Sequence, residues 1–291
     1  MSNYSIQTFT DRYDIYEATE QSTNSWFRLC PERGGIVISY GNKGTELLYL
    51  DKETFYDPDA NIRGGIPVLF PISGQLSGGT YEWQGKSYAM KNHGVARNAS
   101  WKVVETDTSD GAAITLGLSS DESTIASFPF AFELRFTYRL KEGRLTVEQQ
   151  YWNRSDAEAM PMYPGFHPYF AAEHTDVAYK TDASSYYDYN DGEVKPYDGG
   201  PLEMSAKVES VVFLDASRSE IAFSPATGYS IRMTYGKDFR YVVLWGVKGK
   251  PFLCVEPWMA RTDELNRKEE LVYVQPGGVM KTFLTIDVES R

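Results

Sequence analysis

Residues 134–151 read Leu-Arg-Phe-Thr-Tyr-Arg-Leu-Lys-Glu-Gly-Arg-Leu-Thr-Val-Glu-Gln-Gln-Tyr. Leu134, Phe136, Tyr138 and Leu140 share one parity, with charged or polar residues between them. Lys141-Glu142-Gly143-Arg144 forms a polar turn signal with a glycine, after which Leu145, Val147, Gln149 and Tyr151 resume the alternation. A period of two sends successive side chains to opposite faces of a strand, so this stretch predicts an antiparallel hairpin with one buried face.

The same signature recurs outward from there. Ile221–Phe223 and Tyr229–Met233 flank Ser224-Pro225-Ala226-Thr227-Gly228; Tyr81–Trp83 and Ser87–Met90 flank Gln84-Gly85-Lys86; Ile36–Ser39 and Glu46–Leu50 flank Gly41-Asn42-Lys43-Gly44. Each predicts a further hairpin. Tyr241–Gly246 is a continuous apolar run, which suits a strand buried on both faces. Helical signals are confined to short stretches such as 261–270, with room for a turn or two, and Asp182–Gly200, rich in Tyr, Asp and Gly, reads as a long surface connection. There is no repeat of fixed period and no linker-like segment. Many short strands punctuated by turns predict an all-β chain, one large antiparallel β-sandwich filling residues 1–291 as a single domain.

Composition narrows the partners. The formal net charge of −11 disfavours nucleic acid and anionic membrane surfaces. The N-terminus, Met-Ser-Asn-Tyr-Ser, lacks a basic and an apolar signal region, and no apolar stretch approaches the ~18 residues of a membrane span. With only Cys30 and Cys254, far apart, no disulfide framework or zinc cluster is expected, and a reducing cytoplasm is the expected compartment. Aromatics at 14% fit both β-structure and a surface on which sugar rings stack.

The chain has three histidines, and two lie in unusual settings. His93 precedes Gly94, which lets the backbone pass close to a neighbour, and His167 sits between Phe166 and Pro168, which disfavours helix there. His174, in a polar stretch, reads as a surface residue. Glu256 ends an apolar strand and is followed by Pro257 and Trp258; a carboxylate so placed is either paired or functional. Apolar neighbours would raise its pKa toward the working range of a general base. Arg63, ahead of Gly64-Gly65-Ile66-Pro67, and Arg97, four residues after His93 and on its side if strand spacing holds, could clamp hydroxyls or a phosphate. Two imidazoles facing one carboxylate can move protons on and off a sugar ring without metal or cofactor. No nucleophile elbow, phosphate loop or dinucleotide fingerprint is present, and one well-set carboxylate is fewer than a glycosidase needs.

Taken together, Arg63–Pro71, His93–Trp101, Pro164–Phe170, Leu244–Gly246, Cys254–Trp258 and Val274-Gln275-Pro276-Gly277-Gly278 resemble the aldose 1-epimerase (mutarotase) family, with its galactose-mutarotase-like fold. The pairing of Arg63-Gly64-Gly65-Ile66-Pro67 with His93-Gly94-Val95-Ala96-Arg97 looks most like the hexose-6-phosphate mutarotase branch, although Val95 stands where the family usually has an aromatic residue. The resemblance implies a sugar cleft on a wide β-sandwich. It also implies Glu256 as general base, His167 as general acid, His93 as a hydrogen-bond partner near the ring oxygen, and Arg63 and Arg97 as phosphate ligands. The family's sugar-binding aspartate has no clear counterpart; Glu209 or Asp215 stands in that region. Tyr169, Trp258 and Trp245 are candidates for stacking on the sugar. The expected activity is interconversion of the α and β anomers of a hexose or hexose 6-phosphate, with no cofactor, in a monomer or homodimer. The alternative is a non-catalytic sugar-binding or regulatory protein on the same fold.

Overall fold

The computed structural model describes residues 2–290. Three sheets carry most of the strands, and every pairing between those strands is antiparallel. A five-stranded meander runs from Tyr4–Asp11 to Thr45–Glu46 in chain order. One eight-stranded sheet, here the outer sheet, centres on Val279–Ser290, which lies between Arg144–Asn153 and Tyr229–Tyr235. The second eight-stranded sheet, the site sheet, places Tyr241–Trp245 and Phe252–Trp258 side by side, flanked by Val211–Phe213 and Gly165–Phe166. No helix among the described residues is long and apolar enough to cross a membrane.

The hairpin read at 134–151 is present as Phe132–Lys141 and Arg144–Asn153, closed at Lys141↔Arg144. Glu142 and Gly143 turn the chain with φ of 54° and 73°, the two successive positive values of a tight hairpin turn. Leu134, Phe136, Tyr138 and Leu140 are fully buried, as the alternation required. The hairpins at 80–89 and 220–235 also form. Near the N-terminus the strand runs on through Asn42, so only Lys43-Gly44 turns.

One segment departs from the sequence reading. Asp182–Gly200 is not a plain connection: Ser185–Asp188 and Glu193–Pro196 pair as a hairpin on the edge of the site sheet. An edge strand buries little, so its polar and charged residues hid the alternation. Residues 261–270 do hold one helical turn, Glu264–Arg267.

The main core fills the space between the outer and site sheets. Phe136 meets Phe166 at 6.1 Å between ring centroids, and Phe170 meets Phe223 at 5.1 Å. From the site sheet, Val242, Leu244, Leu253 and Val255 point into this core. Their neighbours of opposite parity, Tyr241, Val243 and Trp258, join a separate apolar cluster on the other face, and Phe252 and Cys254 join a third. The apolar run at 241–246 is thus buried on both faces for two different reasons.

Candidate functional site

A cavity of about 560 Å³ lies over that second face of the site sheet. Register decides what reaches it. Val243 pairs with Glu256 and Trp245 with Cys254, and period two puts Val243, Trp245, Glu256 and Trp258 on one side. The strand carrying Glu256 continues through Pro257 to Trp258 rather than ending at the carboxylate.

His167 and Tyr169 come from a segment clasped between two others. Gly165 pairs with both Leu69 and Trp258, the His167 N–H donates to Pro67 O at 3.1 Å, and the Tyr169 N–H donates to Gly65 O at 2.9 Å. Gly165 has to be glycine, since a Cβ there would stand 2.5 Å from Ser73 Oγ and 2.7 Å from Trp258 Cδ1.

His93 arrives from a turn, not a strand. Its φ of 66° is left-handed, a conformation that costs energy for a non-glycine residue and recurs at functional positions. Two hydrogen bonds to Gly74 hold it: the His93 N–H donates to Gly74 O at 2.8 Å, and the Gly74 N–H donates to His93 Nδ1 at 3.0 Å. With Nδ1 used as acceptor, the neutral ring carries its proton on Nε2. A Cβ on Gly94 would lie 2.3 Å from Phe70 O, so the close passage expected at this glycine is real. Arg97 then falls in the short 3₁₀ turn Ala96–Asn98. The strand spacing invoked for the His93–Arg97 pair does not exist, yet turn plus helix bring both to the cavity.

The chemical centre is the contact between His167 Nε2 and Glu256 Oε1 at 3.4 Å. Glu256 is 1% exposed, and its other oxygen accepts from Trp258 Nε1 at 3.2 Å. The Tyr169 ring stacks on His167 at 4.7 Å, and the His93 and Trp245 rings meet it edge-on at 5.4 and 5.8 Å. Burial pushes the Glu256 carboxyl well above its ordinary range, against the pull of the Trp258 hydrogen bond and Arg97. Burial, aided by the neighbouring His93 imidazole and the Arg97 charge, holds His167 well below its ordinary value. His93 is lowered likewise, by burial and then Arg97. Both shifts favour the uncharged pair, protonated Glu256 beside neutral His167, and the 3.4 Å contact gives a proton a direct path between an acid and a base held in one place.

Arg97 is buried, donates to Ile62 O at 2.9 Å, and leaves its Nε without a hydrogen-bond partner. Arg63 is exposed at the rim, and among the described residues its side chain forms no ion pair or hydrogen bond. Trp258 and Trp245 both line the cavity; Trp258 is almost wholly buried and serves Glu256 as a donor. His174 is exposed and lies away from this cavity.

The two acidic candidates separate. Glu209 lines the cavity, and among the described residues its carboxylate has no partner. Asp215 does not line it: its carboxylate accepts from the Ser184 and Ser185 N–H groups at 3.0 and 3.1 Å and from Ser184 Oγ, a local structural clasp. Sequence reasoning missed Gln75 and Thr262, which close one wall through two mutual hydrogen bonds, and Tyr189, hidden in the segment taken for a loop. Nothing in their local sequence marks Gln75 or Thr262; recognising the 185–196 hairpin would have pointed to Tyr189. The fold also brings His167, Cys254 and Glu256 within 4.8 Å of one another, the one such donor group among the described residues and one that sequence spacing did not reveal. Burial keeps the Cys254 thiol neutral, and it does not line the cavity.

Comparison with known proteins agrees over nearly the whole chain. Residues 29–286 match the family model described as aldose 1-epimerase. The Slr1438 protein from Synechocystis sp. PCC 6803 superposes with a TM-score of 0.93 at 35% identity, covering 99% of this chain and 100% of the other. Protein LacX (chromosomal) of Lactococcus lactis subsp. lactis is 24% identical over 267 residues, covering 80% of this chain and 84% of its own. A "Putative glucose-6-phosphate 1-epimerase" of Escherichia coli (strain K12) is 27% identical over 132 residues, 45% of this chain and 41% of its own.

Proposed function

The chain belongs to the aldose 1-epimerase family, and from that premise we propose that it interconverts the α and β anomers of a hexose or hexose 6-phosphate by acid–base ring opening and reclosure. The observation that carries this reading is the buried His167–Glu256 contact facing the cavity. In the working form the pair's single proton sits on His167 and Glu256 is the carboxylate. Transfer across the 3.4 Å contact converts the neutral pair into that form without changing its proton count. The Arg97 charge favours the carboxylate and opposes the protonated imidazole, so it acts on both halves of the pair.

Glu256 takes the proton from the C1 hydroxyl as His167 gives one to the ring oxygen. The C1–O5 bond breaks, C1 becomes an aldehyde, and rotation about C1–C2 presents its other face. Reclosure returns both protons by the reverse route. His93, whose neutral ring carries its proton on Nε2, acts as donor to the oxygen that accumulates charge. Each positioned acid or base contributes about 10²–10⁴-fold.

Arg63 is the group free to meet a phosphate at the rim, whereas Arg97 acts on the acid–base pair. Tyr169 and Trp258 hold the two reacting groups in place, and Trp245, on the cavity wall, is the ring left to pack on the sugar.

The test is the anomer exchange rate of glucose, galactose and glucose 6-phosphate, followed by polarimetry or NMR saturation transfer with purified protein. Acceleration that collapses in Glu256→Gln supports the reading. Sugar binding without acceleration would replace it with the non-catalytic one.

A further inference from the structure

Beside the cavity, Asp188 ends its strand with a carboxylate that is fully buried. Its Oδ2 accepts from Lys195 Nζ at 2.7 Å and from Lys207 Nζ, and its Oδ1 accepts from Asn190 Nδ2 at 2.7 Å and the Asn190 N–H at 3.0 Å. Two cations and two N–H groups compensate a charge whose burial would otherwise be costly.

Asn190 passes this anchorage on. Its Oδ1 accepts the N–H groups of Val208 and Glu209 at 2.9 and 2.8 Å, and its Nδ2 donates to Glu209 O at 3.0 Å. With the bond to Asp188, the amide makes four hydrogen bonds, its full ordinary capacity. Apolar burial does not hold this stretch: Val208 is 79% exposed. The backbone at 208–209 is therefore held by a polar clasp, and that clasp aims Glu209 at the cavity.

We infer that Asn190, braced by Asp188, Lys195 and Lys207, is a positioning residue that presents the Glu209 carboxylate to hydroxyls of the bound sugar. It touches no reacting atom, so it governs capture of the sugar and not the proton transfers. The inference rests on the mutarotase reading of the same cavity.

Anomer exchange of glucose, galactose and glucose 6-phosphate, measured for wild type, Asn190→Ala, Glu209→Ala and the double variant, tests it. Asn190→Ala is expected to raise KM about tenfold, the scale of one hydrogen bond to a charged group, with kcat within about twofold. In the Glu209→Ala background most of that effect should vanish, because residues acting through one another are not additive. An unchanged KM in folded Asn190→Ala, or an equal effect in both backgrounds, overturns the inference. If Asn190→Ala loses its near-ultraviolet circular dichroism, Asn190→Asp replaces it. That variant keeps the acceptor for two N–H groups but faces Asp188 with a second carboxylate; its KM should rise too, and an unchanged value is equally fatal. If wild type binds a sugar without accelerating exchange, the catalytic reading fails alone. Kd by titration then replaces KM with the same expected shift, and an unchanged Kd overturns the positioning role. Failure of wild type to bind any of the three sugars overturns both.

Discussion

Replacing Glu256 by Gln changes almost nothing but chemistry. The side chains are nearly the same size, and the amide oxygen can still accept from Trp258 Nε1, now at 3.2 Å from the carboxylate. What disappears is a proton acceptor beside His167. Loss of one positioned base is expected to lower kcat about 10²–10⁴-fold, or about 2.7–5.5 kcal/mol of barrier. KM should change little, since the cavity wall keeps its shape. Stability should move the other way. Burial raises the folded-state pKa of Glu256 above its ordinary 4.5. Below that value the group is protonated in both folded and unfolded chains; as pH rises through the folded value, the wild type loses stability. Gln cannot ionise, so Glu256→Gln should melt higher than wild type at pH 8, and the gain should shrink toward pH 4. Saturation-transfer kinetics at neutral pH, with thermal melts from pH 4 to 8, read both effects. A variant retaining most of the wild-type rate would remove Glu256 as the base. A melting difference that does not depend on pH would refute the link between its burial and its charge.

The two buried histidines carry the opposite sign. Burial lowers both from an ordinary value of 6.5, so their contribution to stability is present above that pH and lost as pH falls toward their folded values. Thermal melts of wild type between pH 8 and 5 should show this acid-side loss, and it should be smaller in His93→Gln/His167→Gln. Arg63→Ala should raise KM for glucose 6-phosphate about 10-fold or more, in a salt-dependent manner, while leaving glucose unchanged; equal effects on both sugars would discard the phosphate role. Asp215→Ala should leave kcat and KM intact and cost about 1 kcal/mol in a denaturant melt, because its carboxylate serves the backbone at Ser184 and Ser185.

The fold class was legible because strand alternation is a local signal. Leu134 to Tyr151 needed only its own parity to declare a hairpin, and burial follows that parity residue by residue. The edge hairpin at 185–196 was illegible for the converse reason: with little to bury, it carries little alternation. At the site, His93, His167 and Glu256 were visible as acid–base groups in aromatic and proline-rich surroundings, and they converge on the cavity. Their geometry was not visible. The left-handed turn at His93 and the 3₁₀ turn carrying Arg97 defeat any spacing rule drawn from strands. Glu209 and Asp215 were indistinguishable in sequence, because what separates them is a clasp built by Ser184 and Ser185, some thirty residues earlier in the chain.

The double-faced strand Phe252–Trp258 has a consequence for how such a chain can diverge. Leu253 and Val255 belong to the core, while Cys254, Glu256 and Trp258 belong to the cavity side. Substitutions on the two faces are largely independent, so substrate preference can drift without touching the packing between sheets. Length is a different matter. Deleting one residue from the turn at 246–251 and passing the slip along the strand would swing Glu256 into the hydrocarbon interior and put Pro257 at its place on the cavity wall. Insertions and deletions should therefore be purged from this reading frame of side chains and accumulate in the connections beyond it, such as the exposed stretch around Val208.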